Sequence, residues 1–200
     1  MADVWTEHPA PNIYFDSTFS LEAAKIQPGE YYATGRDMLL VTVLGSCVAA
    51  CVRDHKSGIG GMNHFMLPDG GEGALGKSAR YGIYAMEVLV NHLIKLGAQR
   101  ERLVAKVFGG GAVLPGFETM NIGERNAEFV LKYLETERIA VQAKDLKGDS
   151  ARKIYFFPQS GRVLVKNLRN LHNDTILARE SNYRTRLQRA NLAGDVEMFK

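Results

Sequence analysis

Cys47 and His64 are the residues whose types and spacing can do covalent chemistry in this chain. Cys47 follows a Gly-Ser pair in Leu44-Gly-Ser-Cys-Val48, and His64 lies in Gly61-Met-Asn-His-Phe65. A thiol with pKa about 8.5 is only a few per cent thiolate at neutral pH, and a neighbouring imidazolium raises that fraction. Such a sulfur attacks a carbonyl carbon while backbone N–H groups of the turn at Gly45 and Ser46 hold the oxyanion. The imidazolium then gives its proton to the leaving group, and water hydrolyses the acyl-thioester. A third polar group normally fixes the ring, and Thr42 and Asn63 are the nearest candidates along the chain. The same residues also have a purely structural reading. Cysteine is among the most buried residue types, so Cys47 and Cys51 read equally as core thiols, and His64, beside Phe65 and Met66, as a satisfied core histidine. The residue pattern leaves both readings open.

The elements around these residues decide whether they meet. Residues 38–44 form a continuous apolar, β-branched run that predicts a buried strand. Residues 47–53 resume a strand, residues 54–58 are a turn cluster, and residues 59–68 predict a third strand. With a loop of four residues, Asp54 to Ser57, Arg53 faces Gly58 and Cys47 falls directly opposite His64. Directly paired β-carbons are about 4.5–5.5 Å apart, and a slip of one residue would put the two side chains on opposite faces. Thr42 has the opposite parity to Cys47 in a regular strand, so the Gly45-Ser46 turn has to redirect the chain if all three are to converge.

The rest of the chain reads coarsely. Residues 1–30, broken by Pro9, Pro11 and Pro28, predict an N-terminal arm with at most a short helix at 21–26. A glycine-rich loop at 69–77 precedes a helix that Ser78 can cap and Gly97 ends. A strand at 103–108 runs into Gly109-Gly-Gly111, a second helix spans about 122–137 with Asn121 as cap, and strands follow at 139–145, 153–157 and 163–166. The last two form a hairpin through Pro158-Gln-Ser-Gly161. Residues 31–166 make up the expected catalytic domain. Residues 167–200 read as a polar extension without strong periodicity, and no internal repeat is visible.

Composition narrows the function classes. Two hundred residues, 46% hydrophobic and 24% charged, suit one globular domain. A net charge of +3, with bases and acids interspersed, lacks the footprint of a nucleic-acid binder. No apolar run approaches the roughly 18–20 residues of a membrane span, and the first residues have no signal-peptide pattern, so a cytoplasmic protein without membrane insertion is expected. In a strand, Cys47 and Cys51 would lie roughly 13 Å apart, too far for a disulfide. A zinc site from Cys47, Cys51, His55 and His64 fails because Cys-x3-Cys in a strand cannot converge. Gly109-Gly-Gly111 has neither the Gly-Lys-Ser/Thr of a phosphate loop nor a helix directly after it. A backbone bend or a close approach explains it better.

Leu44-Gly-Ser-Cys-Val48 followed by Gly61-Met-Asn-His-Phe-Met-Leu-Pro68 resembles the signature of the CheD family of chemoreceptor glutamine deamidases. Phe108-Gly-Gly-Gly-Ala112, Asn121-Ile-Gly-Glu-Arg-Asn126 and Ser160-Gly-Arg-Val-Leu-Val-Lys166 agree in the family's order, so the resemblance covers about residues 28–166. It implies an α+β fold of two face-to-face β-sheets flanked by helices, related to bacterial toxin deamidases. It further implies a cysteine hydrolase that converts glutamine side chains of methyl-accepting chemotaxis receptors to glutamate and ammonia. The family's nucleophile falls on Cys47 and its histidine on His64. An upstream threonine completes the triad, for which Thr42 is the only threonine in its strand. No cofactor or metal is implied, and a CheC-like phosphatase is an implied partner. A receptor methylesterase, or a receptor- or CheC-binding adaptor with weak catalysis, is the alternative reading.

Overall fold

The structure, a computed structural model, describes residues 8–10, 12–68, 75–113, 122–168 and 174–192. In chain order the strands are β1 (His8–Pro9), β2 (Asn12–Asp16), β3 (Leu21–Lys25), β4 (Glu30–Thr34), β5 (Leu39–Leu44), β6 (Val48–Asp54) and β7 (Gly60–His64). Helix α1 (Leu75–Lys95) follows, then β8 (Leu103–Gly109), α2 (Ile122–Thr136), β9 (Ala140–Leu146), β10 (Arg152–Phe157), β11 (Arg162–Asn167) and α3 (Asp174–Leu192). The strands form two mixed sheets, a six-stranded one ordered β1-β4-β7-β6-β8-β9 and a five-stranded one ordered β11-β10-β5-β3-β2. The α+β class expected from the sequence is the class observed.

The six-stranded sheet is the middle layer. Helix α1 packs on β4, β6 and β7, and α2 on β6, β8 and β9, while residues of the second sheet such as Leu40, Leu44, Ile154 and Phe156 share the same core from the other side. A strand covered on both faces carries no polar alternation, which is why every residue of β6 except Arg53 is buried. In β5, Leu40 and Leu44 enter the main core. Leu39 and Val41 turn to the outer face of the second sheet, where Ala23 and Phe157 join them beside Phe19 and Tyr155.

Several expectations are corrected. Residues 21–25 are a strand, not a helix: β3 pairs parallel with β5 and antiparallel with β2. Leu-Glu-Ala-Ala-Lys has good helix propensity, but the ladder to β5 overrides that weak preference. Ser78 lies inside α1, which begins at Leu75, and its hydroxyl donates to the Pro68 carbonyl instead of capping. Of the glycine-rich loop, residues 75–77 belong to α1, and residues 69–74 lie outside the described residues, as does Asn121. The predicted β6–β7 register is also replaced. Arg53 pairs with Gly60, not Gly58, and the Val48–Phe65 bridge continues the same alignment. The Asp54 carboxylate widens the loop by accepting from the N–H groups of Lys56 and Ser57, and Gly58 adopts φ +76°. Because side chains alternate with period two, this shift of two positions leaves every residue on its expected face.

Candidate active site

The chain leaves the second sheet at Leu44 and enters the middle sheet at Val48, so Gly45-Ser46-Cys47 is the crossing between layers. Strand parity therefore does not carry from Thr42 to Cys47, and the redirection the sequence required is this crossing. All three carbonyls of the turn are held from behind. Gly111 N–H donates to Gly45 O (2.8 Å), Gly110 N–H to Cys47 O (2.7 Å), and Asn126 Nδ2 to Ser46 O (2.8 Å). Gly109 sits at φ +106°, and a Cβ there would lie 2.2 Å from the Cys47 carbonyl oxygen. Gly109-Gly-Gly111 is thus the close backbone approach expected from the sequence, and what it approaches is the cysteine turn.

With the carbonyls turned back, the N–H groups of the turn face forward and converge. They converge on a carboxylate of the same chain, Glu180 of α3. Gly45 N–H donates to Oε1 (2.8 Å), Ser46 N–H and Oγ to Oε2 (2.8 and 2.7 Å), and Cys47 N–H to Oε1 (3.2 Å). Charge-assisted bonds of this kind are roughly twice as strong as neutral ones.

His64 ends β7, where it pairs with Glu30 of β4. Thr42 Oγ1 lies 2.8 Å from Ile26 O and 2.8 Å from His64 Nδ1. Its single proton goes to the Ile26 carbonyl, so the hydroxyl accepts from the ring, which fixes the proton on Nδ1 and leaves the lone pair on Nε2. Nε2 is buried and has no hydrogen-bond partner among the described residues. Asn63, the other candidate for holding the ring, faces the opposite way: its amide binds Ala50 N–H and the Ala85 carbonyl of α1.

The structure brings Cys47, His64 and Glu180 together, with Sγ, a ring nitrogen and a carboxylate oxygen all within 4.8 Å of one another. Burial pushes the Cys47 thiol well above its ordinary pKa, and the Glu180 charge adds to that. Burial holds His64 below its ordinary value, outweighing the opposing pull of Glu180 and of the Ile26 carbonyl. The pair is therefore a neutral thiol and a neutral imidazole. Cys51 stands apart in β6, opposite Met62 and Lys106, and burial raises its thiol pKa as well. His55 is exposed with its ring on the Arg102 carbonyl, so the zinc set rejected on spacing does not assemble. Cys47, His64 and Glu180 are metal-ligand types, but both Glu180 oxygens already face N–H donors. Converging donors favour an anion over a cation.

Glu180 and Asn126 escape the sequence reading. The region after Lys166 reads as aperiodic, yet α3 spans Asp174–Leu192 and buries Glu180, Tyr183 and Leu187. The signal that could find it is Ile176, Glu180, Tyr183 and Leu187, a stripe at helical spacing whose second member is charged.

Comparison with known proteins shows the family. The family described as "CheD chemotactic sensory transduction" matches residues 66–167. A relative from Dechloromonas aromatica, named "Probable chemoreceptor glutamine deamidase CheD 1", is 62% identical over 200 residues, all of both chains. Relatives from Janthinobacterium sp. and Herminiimonas arsenicoxydans, both named "Probable chemoreceptor glutamine deamidase CheD", are 58% and 60% identical over 202 residues, again covering all of both chains. The chain belongs to the CheD family.

Proposed function

We propose that this protein is a chemoreceptor glutamine deamidase, with Cys47 as nucleophile, His64 as general base and acid, and Thr42 as the residue that orients His64. The observation that carries the reading is the convergence of three backbone N–H groups beside a buried thiol and an imidazole with a free Nε2. A glutamine side chain entering this site places its carbonyl oxygen on the N–H groups of Gly45, Ser46 and Cys47. Each donor to a developing oxyanion is worth roughly 10²–10³ in rate. His64 Nε2 takes the thiol proton, sulfur bonds to the amide carbon, and the proton passes to the nitrogen, which leaves as ammonia. Water, deprotonated by His64 Nε2, then attacks the thioester carbon; the proton passes from Nε2 to the departing sulfur, releasing glutamate and restoring the thiol.

The names of the relatives supply the substrate, the side-chain amide of a chemoreceptor glutamine. The substrate partners in this reading are methyl-accepting chemotaxis receptors, and a CheC-like phosphatase is proposed as a second partner on the family resemblance alone. A cytoplasmic site fits two unpaired cysteines. No helix among the described residues is long and apolar enough to cross a membrane. Peptide mass spectrometry of receptors incubated with the protein should show glutamine-to-glutamate conversion that Cys47→Ala abolishes. Undiminished conversion by Cys47→Ala would reject the mechanism.

A further inference from the structure

Glu180 is a glutamate side chain, presented by a helix, with its carboxylate on the N–H groups of the nucleophile turn and within reach of the thiol. Resting on the deamidase reading above, these are the features of a bound reaction product. We propose that α3 is an intramolecular product mimic: it closes the active site, and a receptor helix must displace it to be deamidated. The surface under α3 is then the surface on which the substrate helix docks.

Three observations support this. First, the site is closed with α3 in place: Glu180 lies on the turn of the nucleophile, Cys47 is 0% exposed, and His64 is buried with it. No carboxamide can reach the sulfur in this arrangement. Second, the fit is chemical as well as steric, because four donors meet the two oxygens of one carboxylate and the turn accommodates the stem. A Cβ at Gly45 would lie 2.6 Å from Val113 Cγ2 and 2.9 Å from Glu180 Oε2, so glycine there leaves room for both side chains. Third, the helix is held by a narrow stripe. Glu180, Tyr183 and Leu187 are its buried residues among those described; Tyr183 bonds the Tyr81 hydroxyl and lies over Gly29. Beside Ile176 and Arg179 a cavity of about 360 Å³ separates α3 from Tyr14, Lys25 and Thr42 of the second sheet. A helix held through one face opens more readily than the hydrogen-bonded sheets beneath it.

Closure by an internal ligand lowers the apparent affinity for the external one in proportion to the open fraction. Glu180→Ala in the full-length protein removes the anchor while leaving Cys47, His64 and Thr42 in place. Alkylation of Cys47 by iodoacetamide should accelerate about tenfold or more, a factor that corresponds to ~1.4 kcal/mol, and receptor deamidation should accelerate with it. Glu180→Gln goes further, because it presents a carboxamide to the thiol in cis. Sulfur should bond to that carboxamide carbon and displace ammonia, and water should then release the thiol, so that the purified variant reverts to the wild-type mass. The double variant Cys47→Ala/Glu180→Gln should keep its amide. If Glu180→Ala alters neither the alkylation nor the deamidation rate, or if Glu180→Gln keeps its amide while the same preparation deamidates receptors, the product-mimic role is overturned. Faster alkylation in Glu180→Ala with receptors still unmodified would uphold the closure and overturn the deamidase reading instead.

Discussion

Replacing Thr42 by valine keeps the shape of the side chain and removes a hydroxyl that touches both the His64 ring and the backbone of the neighbouring strand connection. In the structure Thr42 Oγ1 accepts from His64 Nδ1–H and donates to the Ile26 carbonyl, both at 2.8 Å, and Thr42 is 1% exposed. The valine variant leaves a buried N–H and a buried C=O unpaired. Each such group costs about 1–3 kcal/mol, so unfolding should become easier by about 2–6 kcal/mol in urea titrations. The ring also loses the partner that keeps its proton on Nδ1. A base whose lone pair no longer faces the thiol should lower kcat on a receptor glutamine by roughly 10–100-fold, tenfold being ~1.4 kcal/mol. KM should change little, because Thr42 lies behind the ring. Thr42→Ser keeps the hydroxyl and should recover most of kcat. NMR of the ring nitrogens reads the tautomer directly. A Thr42→Val protein with wild-type kcat and the proton still on Nδ1 would refute the orienting role.

Other outcomes follow from the same geometry. Asn126→Ala frees Ser46 O and Leu67 N–H at once. It should cost about 2–3 kcal/mol of stability in urea and lower kcat about tenfold as the turn loosens. Alkylation of Cys47 in the wild type should begin only well above the ordinary thiol range, since burial and then the Glu180 charge disfavour the thiolate. Its pH profile should move down in Glu180→Ala. Asp54, despite burial that works to raise it, is held at about 2 by N–H groups of Gln99, Lys56 and Ser57. A carboxyl with folded pKa below its unfolded value of about 3.9 adds stability above that pH, lost as pH falls toward 2. Asp54→Ala should therefore lower stability by about 2 kcal/mol at pH 7 and flatten the acid limb of an unfolding profile.

Much of the site was legible because the relevant information is local. The Gly-Ser-Cys turn, the strand carrying His64 and the triple glycine each declare themselves within a few residues. Gly109-Gly-Gly111 was readable as a bend or a close backbone approach, although what it approaches was not. The pairing of Cys47 with His64 came from a register that proved two positions off, and it survived because an even shift preserves the face. Residues 21–25 misled because their helix propensity is genuine, and only the parallel ladder to β5 makes them a strand.

Taken alone, the amino-acid order determined which groups can react, which strands are buried and which turn carries Cys47, since burial periodicity and turn chemistry are written over short windows. Tertiary structure alone decided three things. It chose Thr42 over Asn63 as the partner of His64, because adjacent residues of β7 face different layers. It tied the carbonyls of the cysteine turn to Gly110, Gly111 and Asn126. It also brought Glu180, distant along the chain, onto the N–H groups beside Cys47. A contact of that kind depends on where a helix docks, which no local periodicity encodes.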